Sequence, residues 1–211
     1  MEELVLRIQA LAESYSASLS SQIERRRESM KSDDTSHYLI YRVLGVTAKE
    51  GQRIDEYQNT GRFLYKYAGS FLEEATRACL NYKFPDGIKT KIKNPFGERP
   101  QTFEIDFLHE KDAIEIKWRD STTDGDHVIK EHARVKAIRG EGFKPIRLMF
   151  YDPQRKQALR IQETLKTLYA GVGGEFYSGE EAWAYLSAYS GVDLRALLVQ
   201  IADEKSPEHG E

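Results

Sequence analysis

Two runs of alternating residues, Thr102–Leu108 and Ala113–Trp118, constrain this chain more than any other stretch. Alternation with period two is the pattern of a strand with one buried face. Only the polar His109-Glu110-Lys111-Asp112 separates the runs, so they should pair as an antiparallel hairpin. If the turn is symmetric about Glu110 and Lys111, Leu108 faces Ala113 and Asp106 faces Glu115, with Cβ atoms roughly 5 Å apart. Alternation then places Glu104 and Lys117 on that same face. The other face carries Phe103, Ile105, Phe107, Ile114, Ile116 and Trp118, an apolar surface for packing helices.

The flanking segments suit such a sheet. Leu4, Ile8, Leu11 and Tyr15 recur at helical spacing within the first 31 residues, and Ser32–Ser36 is a polar break. Tyr38 to Val46 reads equally as a buried helix or a strand. Thr47-Ala48-Lys49-Glu50 has the spacing of a capping box, and a helical pattern after Gly61 runs from Phe63 to about Asn81. Ile88–Lys93 alternates as a further strand, and Asn94-Pro95-Phe96-Gly97 is a turn cluster. A helix at about 126–139, a short apolar strand Pro145–Tyr151, a helix at about 154–170, a glycine-rich loop and two short helices complete the chain. The order predicts an α/β fold: a central mixed sheet flanked by helices, with helical N- and C-terminal extensions. Residues 1–62 are expected to form the N-terminal extension, 63–170 the core and 171–211 a C-terminal helical segment.

The 211 residues are 40% hydrophobic and 31% charged, ordinary for a globular chain, and the net charge of −3 argues against coating nucleic acid by charge alone. A local basic surface would still serve a DNA enzyme. Cys79 is the only cysteine, which excludes an intramolecular disulfide and a cysteine-rich zinc site. The start Met1-Glu2-Glu3 lacks the features of a signal peptide, and no apolar stretch approaches the roughly 20 residues of a membrane span. The expected compartment is the reducing cytoplasm, with no membrane partner.

Two carboxylates facing each other across a hairpin repel. A divalent cation converts that repulsion into affinity, and oxygen ligands of this kind suit Mg²⁺. Lys117 would point into the same site, where it could hold the attacking water or stabilise charge developing on a phosphate. Asp106 with Glu115-Ile116-Lys117 is thus a compact kit for metal-assisted phosphodiester hydrolysis. The plain alternative is a solvated sheet face with a Glu104–Lys117 ion pair.

Ile105-Asp106 followed by Glu115-Ile116-Lys117, within residues 63–170, resembles the PD-(D/E)XK nuclease superfamily, although Ile105 stands where the name motif has proline. The resemblance implies that Asp106, Glu115 and the backbone carbonyl of Ile116 bind Mg²⁺ and that Lys117 assists the attacking water. Many members add a glutamate from the helix before the first strand, for which Phe71-Leu72-Glu73-Glu74-Ala75 offers Glu74, or alternatively Glu73. Ala113 to His127, Lys130-Glu131-His132 and Lys144-Pro145-Ile146-Arg147 are similar to ApaLI-like type II restriction endonucleases. That likeness implies a homodimer cutting both strands of double-stranded DNA at a short palindrome, GTGCAC if the likeness is close. It also implies 5′-phosphate ends and a cognate DNA methyltransferase in the same system. A repair or junction-resolving nuclease, or a DNA-binding module without catalysis, are the competing readings.

The polar loop after Lys117 puts Arg119, Thr122, Thr123 and His127 near a phosphate or groove, while Asp124 and Asp126 either join them or cap the next helix. That helix offers Lys130 and Arg134, with Lys136 and Arg139, for phosphate contacts. Lys89, Lys91 and Lys93 form a stripe that either meets DNA or guards an edge strand. Gly173-Gly174-Glu175-Phe176 spells the signature of diguanylate cyclases, but the chain beyond it is too short for that domain, and a chance match in a loop is the expectation.

Overall fold

The structure is a computed structural model that describes residues 1–97, 99–119 and 125–205. Three helices lead the chain, α1 (Glu2–Met30), α2 (Tyr38–Val43) and α3 (Ala48–Lys83). Strands β1 (Ile88–Lys93), β2 (Thr102–His109) and β3 (Asp112–Arg119) follow, then α4 (Gly125–Gly140), β4 (Lys144–Tyr151) and α5 (Lys156–Gly171). Strand β5 (Glu175–Ser178) and helices α6 (Glu180–Ser190) and α7 (Leu194–Lys205) complete it. The expected α/β class holds: five strands form one mixed sheet in the order β1-β2-β3-β4-β5, antiparallel through β3 and parallel from β3 to β5. Among the described residues no helix is long and apolar enough to cross a membrane.

The chain divides into two compact units, residues 9–71 and residues 1–8 with 72 onward. In the first, α1 and α3 run antiparallel: the Tyr15 ring meets Tyr67 and Phe71 edge-on, and Arg27 pairs with Glu56 at 2.7 Å. The ambiguous 38–46 segment is helical over Tyr38–Val43 in α2, none of whose residues is buried. The capping box forms as spaced, with the Glu50 N–H donating to Thr47 Oγ1 and the Thr47 N–H to Glu50 Oε2. Helix α3 runs through Gly61 without a break, because neighbouring turns outweigh the roughly 1 kcal/mol that a helical glycine costs.

In the second unit the sheet carries the core. Met149 packs with Val135 of α4 and Leu165 and Tyr169 of α5, whereas the Phe150 ring meets Trp183 of α6 at a tilt, with centroids 4.3 Å apart. Successive β4 residues therefore face different helical layers. The expected glycine-rich loop is a turn at 172–174, and the unexpected strand β5 follows it; four residues are too few to display alternation. Its entry explains the two glycines. Gly173 has φ of 69°, and a Cβ on Gly174 would lie 2.5 Å from the Pro145 carbonyl oxygen.

The hairpin register is the expected one, with Leu108 opposite Ala113 and Phe107 opposite Ile114. One departure matters for the site. Between the pairs Ile88–Leu108 and Thr90–Ile105, β1 advances two residues while β2 advances three, so β2 carries a bulge at 106–107. A bulge bends a strand and re-aims its side chains. Phe103 and Ile105 accordingly pack with Ala113 and with Ala137 and Ile138 of α4, not as one continuous face with Phe107 and Ile114.

Candidate active site

Asp106 sits in the bulge of β2. Its Oδ2 accepts the Ile116 N–H at 2.8 Å, so the carboxylate takes a backbone donor of β3 where the hairpin ladder ends. Asp106 is 4% exposed and Glu115 also 4%, so neither lies on a solvated sheet face. Burial first, then the charge of Glu115, push the Asp106 carboxyl up from 3.8 to about 7. Burial also opposes ionisation of Glu115, but Lys117, Arg134 and Arg147 outweigh it and hold that carboxyl down at about 2.

The cations around Glu115 come from three elements. Lys117 Nζ lies 2.6 Å from Glu115 Oε1, and Arg134 of α4 pairs with the same oxygen. Arg147 is directly beside Glu115 in the parallel β3–β4 register and is fully buried. Behind them Glu131 of α4 accepts from Arg147 at 3.3 Å and from the Tyr169 hydroxyl at 2.6 Å, and Arg134 Nε lies 3.7 Å away. Glu115 is thus braced by a buried charge network.

A second grouping meets the first at Asp106. Ligand oxygens of Glu73, Glu104 and Asp106 lie within 4.8 Å of one another. The ammonium of Lys89 sits among them, 2.7 Å from Glu73, 2.8 Å from Glu104 and 3.9 Å from Asp106. An octahedral Mg²⁺ with oxygens at about 2.1 Å spans at most about 4.2 Å, so a slight contraction suits it. All-oxygen donors with a cation already among them fit a hard divalent ion. Of the two helical glutamates, Glu73 reaches this grouping, where the sequence favoured Glu74. Leu72, Thr76 and Leu80 are buried and set that helical phase.

Glu104 pairs with Lys89 and, at 4.0 Å, Lys91, rather than facing Lys117, because the bulge breaks the strict alternation. Lys91, His127, Lys130 and Arg134 line one cavity of about 380 Å³ together with Phe103, Glu104 and Glu131. Arg134 is turned inward to Glu115, not outward from α4. Lys93 is exposed on β1, and Arg119, at the end of β3, lines a separate small cleft with Trp118 and Tyr151. Thr122 and Thr123 lie outside the described residues. Sequence reasoning quoted Glu131 and Arg147 in the family resemblance without giving them a role, and passed over Tyr169. The signal for Arg147 was present as a lone charge inside Ile146–Phe150, an otherwise apolar strand.

A family model described as ApaLI-like restriction endonuclease matches residues 1–203 of the chain. No curated protein and no solved structure matches it.

Proposed function

We propose, on the premise that the chain belongs to the ApaLI-like restriction endonuclease family, that it is a type II enzyme using Mg²⁺ to cut double-stranded DNA at a short palindrome. Family membership makes it a nuclease that acts on DNA. The observation that carries the finer reading is the meeting of Asp106, Glu115 and Lys117 at the splayed end of one hairpin. Asp106, with Glu73 from α3 and Glu104 beside it, would hold the metal, to which the family resemblance adds Glu115 and the Ile116 carbonyl; the metal supplies charge stabilisation and an acidified water. Lys117 is the one member of the trio reaching solvent, with 37% of its side chain exposed. Its ammonium can orient the attacking water and meet charge growing on the phosphate. Products with 5′-phosphate ends, the GTGCAC site and a partner methyltransferase in the same cytoplasm follow from the family resemblance.

Lys91, His127 and Lys130 beside the cavity next to β2 support DNA phosphate contacts that position without reading sequence. The helical unit exposes Leu39, Ile40, Val43 and Leu44, and Ile54, Tyr57, Leu64 and Tyr65 along α3. So much exposed apolar surface supports a homodimer, as a twofold site requires. Light scattering should read two chains per particle; one chain would remove the dimer from this proposal.

The decisive test incubates the protein with long duplex DNA in Mg²⁺, in Ca²⁺, and as Lys117→Ala. Discrete fragments in Mg²⁺, reduced roughly 100-fold or more in rate by the substitution, are expected. Tight duplex binding without cutting would end the enzymatic reading, and cutting confined to branched DNA would point to a junction-resolving nuclease.

A further inference from the structure

We infer that Lys89 is a built-in counter-ion of the metal site, competing with the divalent cation for the oxygens of Glu73, Glu104 and Asp106. This rests on the proposed binding of a divalent metal at Asp106.

Three carboxylates from α3 and β2 converge here, and each repels the others. The Lys89 ammonium reaches all three and offsets that repulsion, with the charge of Lys117 acting on Asp106 from the side of Glu115. Lys91 reaches only Glu104, at 4.0 Å, with 64% of its side chain exposed, so it does not share the task. Ammonium and metal ask for different geometry from the same oxygens. Lys89 holds two of them at 2.7 and 2.8 Å, whereas Mg²⁺ draws oxygens to about 2.1 Å. A metal among these carboxylates would fall within about the same volume as Nζ, and two cations in contact repel. Occupancy is therefore exclusive.

The lysine has somewhere to go. Its side chain is 31% exposed, and a four-carbon stem lets the head swing to solvent or a phosphate without moving β1. The contrast with Lys117 is instructive, since that residue pairs with Glu115, which Arg134 also holds. Among the described residues, Lys89 is the ammonium that pairs with all three carboxylates of its grouping. Competition predicts opposite signs for its removal: a less stable metal-free protein and a tighter metal complex. A lysine that merely shaped the pocket would lower both, and one that only touched DNA would change neither in DNA-free protein.

The test titrates MnCl₂ into the DNA-free full chain by calorimetry, comparing wild type, Lys89→Met and Lys91→Met. Lys89→Met should bind Mn²⁺ about tenfold more tightly than wild type, the usual size of a competitive coupling. Its melting temperature in EDTA should fall, while Lys91→Met stays near wild type on both measures. Equal or weaker binding by Lys89→Met, with wild type binding normally, overturns the inference alone. No binding by any variant overturns the metal reading and the inference with it. Should Lys89→Met not fold, Lys89→Arg decides. Its forked guanidinium grips carboxylates more firmly, so it should bind Mn²⁺ about tenfold more weakly, and unchanged binding refutes the competition.

Discussion

Asp106 and Glu115 belong to one site and are equally buried, yet they are supported in opposite ways. Glu115 stands against Arg134 and Arg147, guanidiniums that never lose their charge, backed by Glu131 and Tyr169. Asp106 feels the charge of Lys117, accepts a backbone N–H from Ile116, and has a second lysine 3.9 Å away that other carboxylates hold more closely. Neighbouring cations hold the first carboxyl well below its usual range, whereas burial and the charge of Glu115 push the second up to about 7. A site made this way keeps one rigid wall and one responsive wall. Pre-organisation lowers the cost of assembling charge at reaction, and the responsive wall lets the metal-free protein avoid two facing buried anions.

The larger test breaks the rigid wall. Arg147→Met keeps the volume and removes the charge, leaving Glu131 and Glu115 short of a buried partner. Losing one member of a buried pair costs about 3–5 kcal/mol, or roughly 10 °C in melting temperature for a chain of this size. Thermal melts in EDTA check it. A loss below 1 °C would mean that Arg147 is no brace and that the two walls are alike. Adding Glu131→Gln should recover part of the loss, because it removes the stranded charge.

The strand pairing was readable because a short polar link between two alternating runs leaves few registers, and Leu108 does meet Ala113. Glu115 and Lys117 needed only their spacing. The bulge was hidden: Phe103, Ile105 and Phe107 continue the period of two straight through it, and only the mismatch with β1 exposes the extra residue. The stretch of β2 before the bulge was misread for that reason, including the partner of Glu104. Glu73 and Glu74 differ by one step of about 100° around the helix, and tertiary packing, not local pattern, sets that phase. Arg147 was legible in principle, since a charge inside an apolar strand must have a buried partner, but the partner Glu131 lies on another element and only the fold brings it near.

The smaller test works on the responsive wall. The Asp106 carboxyl moves from 3.8 unfolded to about 7 folded, chiefly through burial and then the charge of Glu115. Between those values the folded chain holds a proton that the unfolded chain lacks, so stability falls as pH rises through the window. Its contribution is complete below about 4 and gone above about 7. Glu115 behaves inversely: lowered to about 2 from 4.5, it adds stability that is present above 4.5 and lost as pH falls toward 2. Stability in EDTA should therefore fall from pH 5 to pH 8, by on the order of a few kcal/mol at most, and melting temperatures should fall with it. Asp106→Asn removes the titrating proton and should flatten that slope. Mg²⁺ should act in the other direction, stabilising wild type more at pH 8 than at pH 5, because only the ionised carboxylate binds it. A wild-type slope equal to that of Asp106→Asn would show that Asp106 is already ionised without metal, and the two walls would then differ only in their partners, not in their charge.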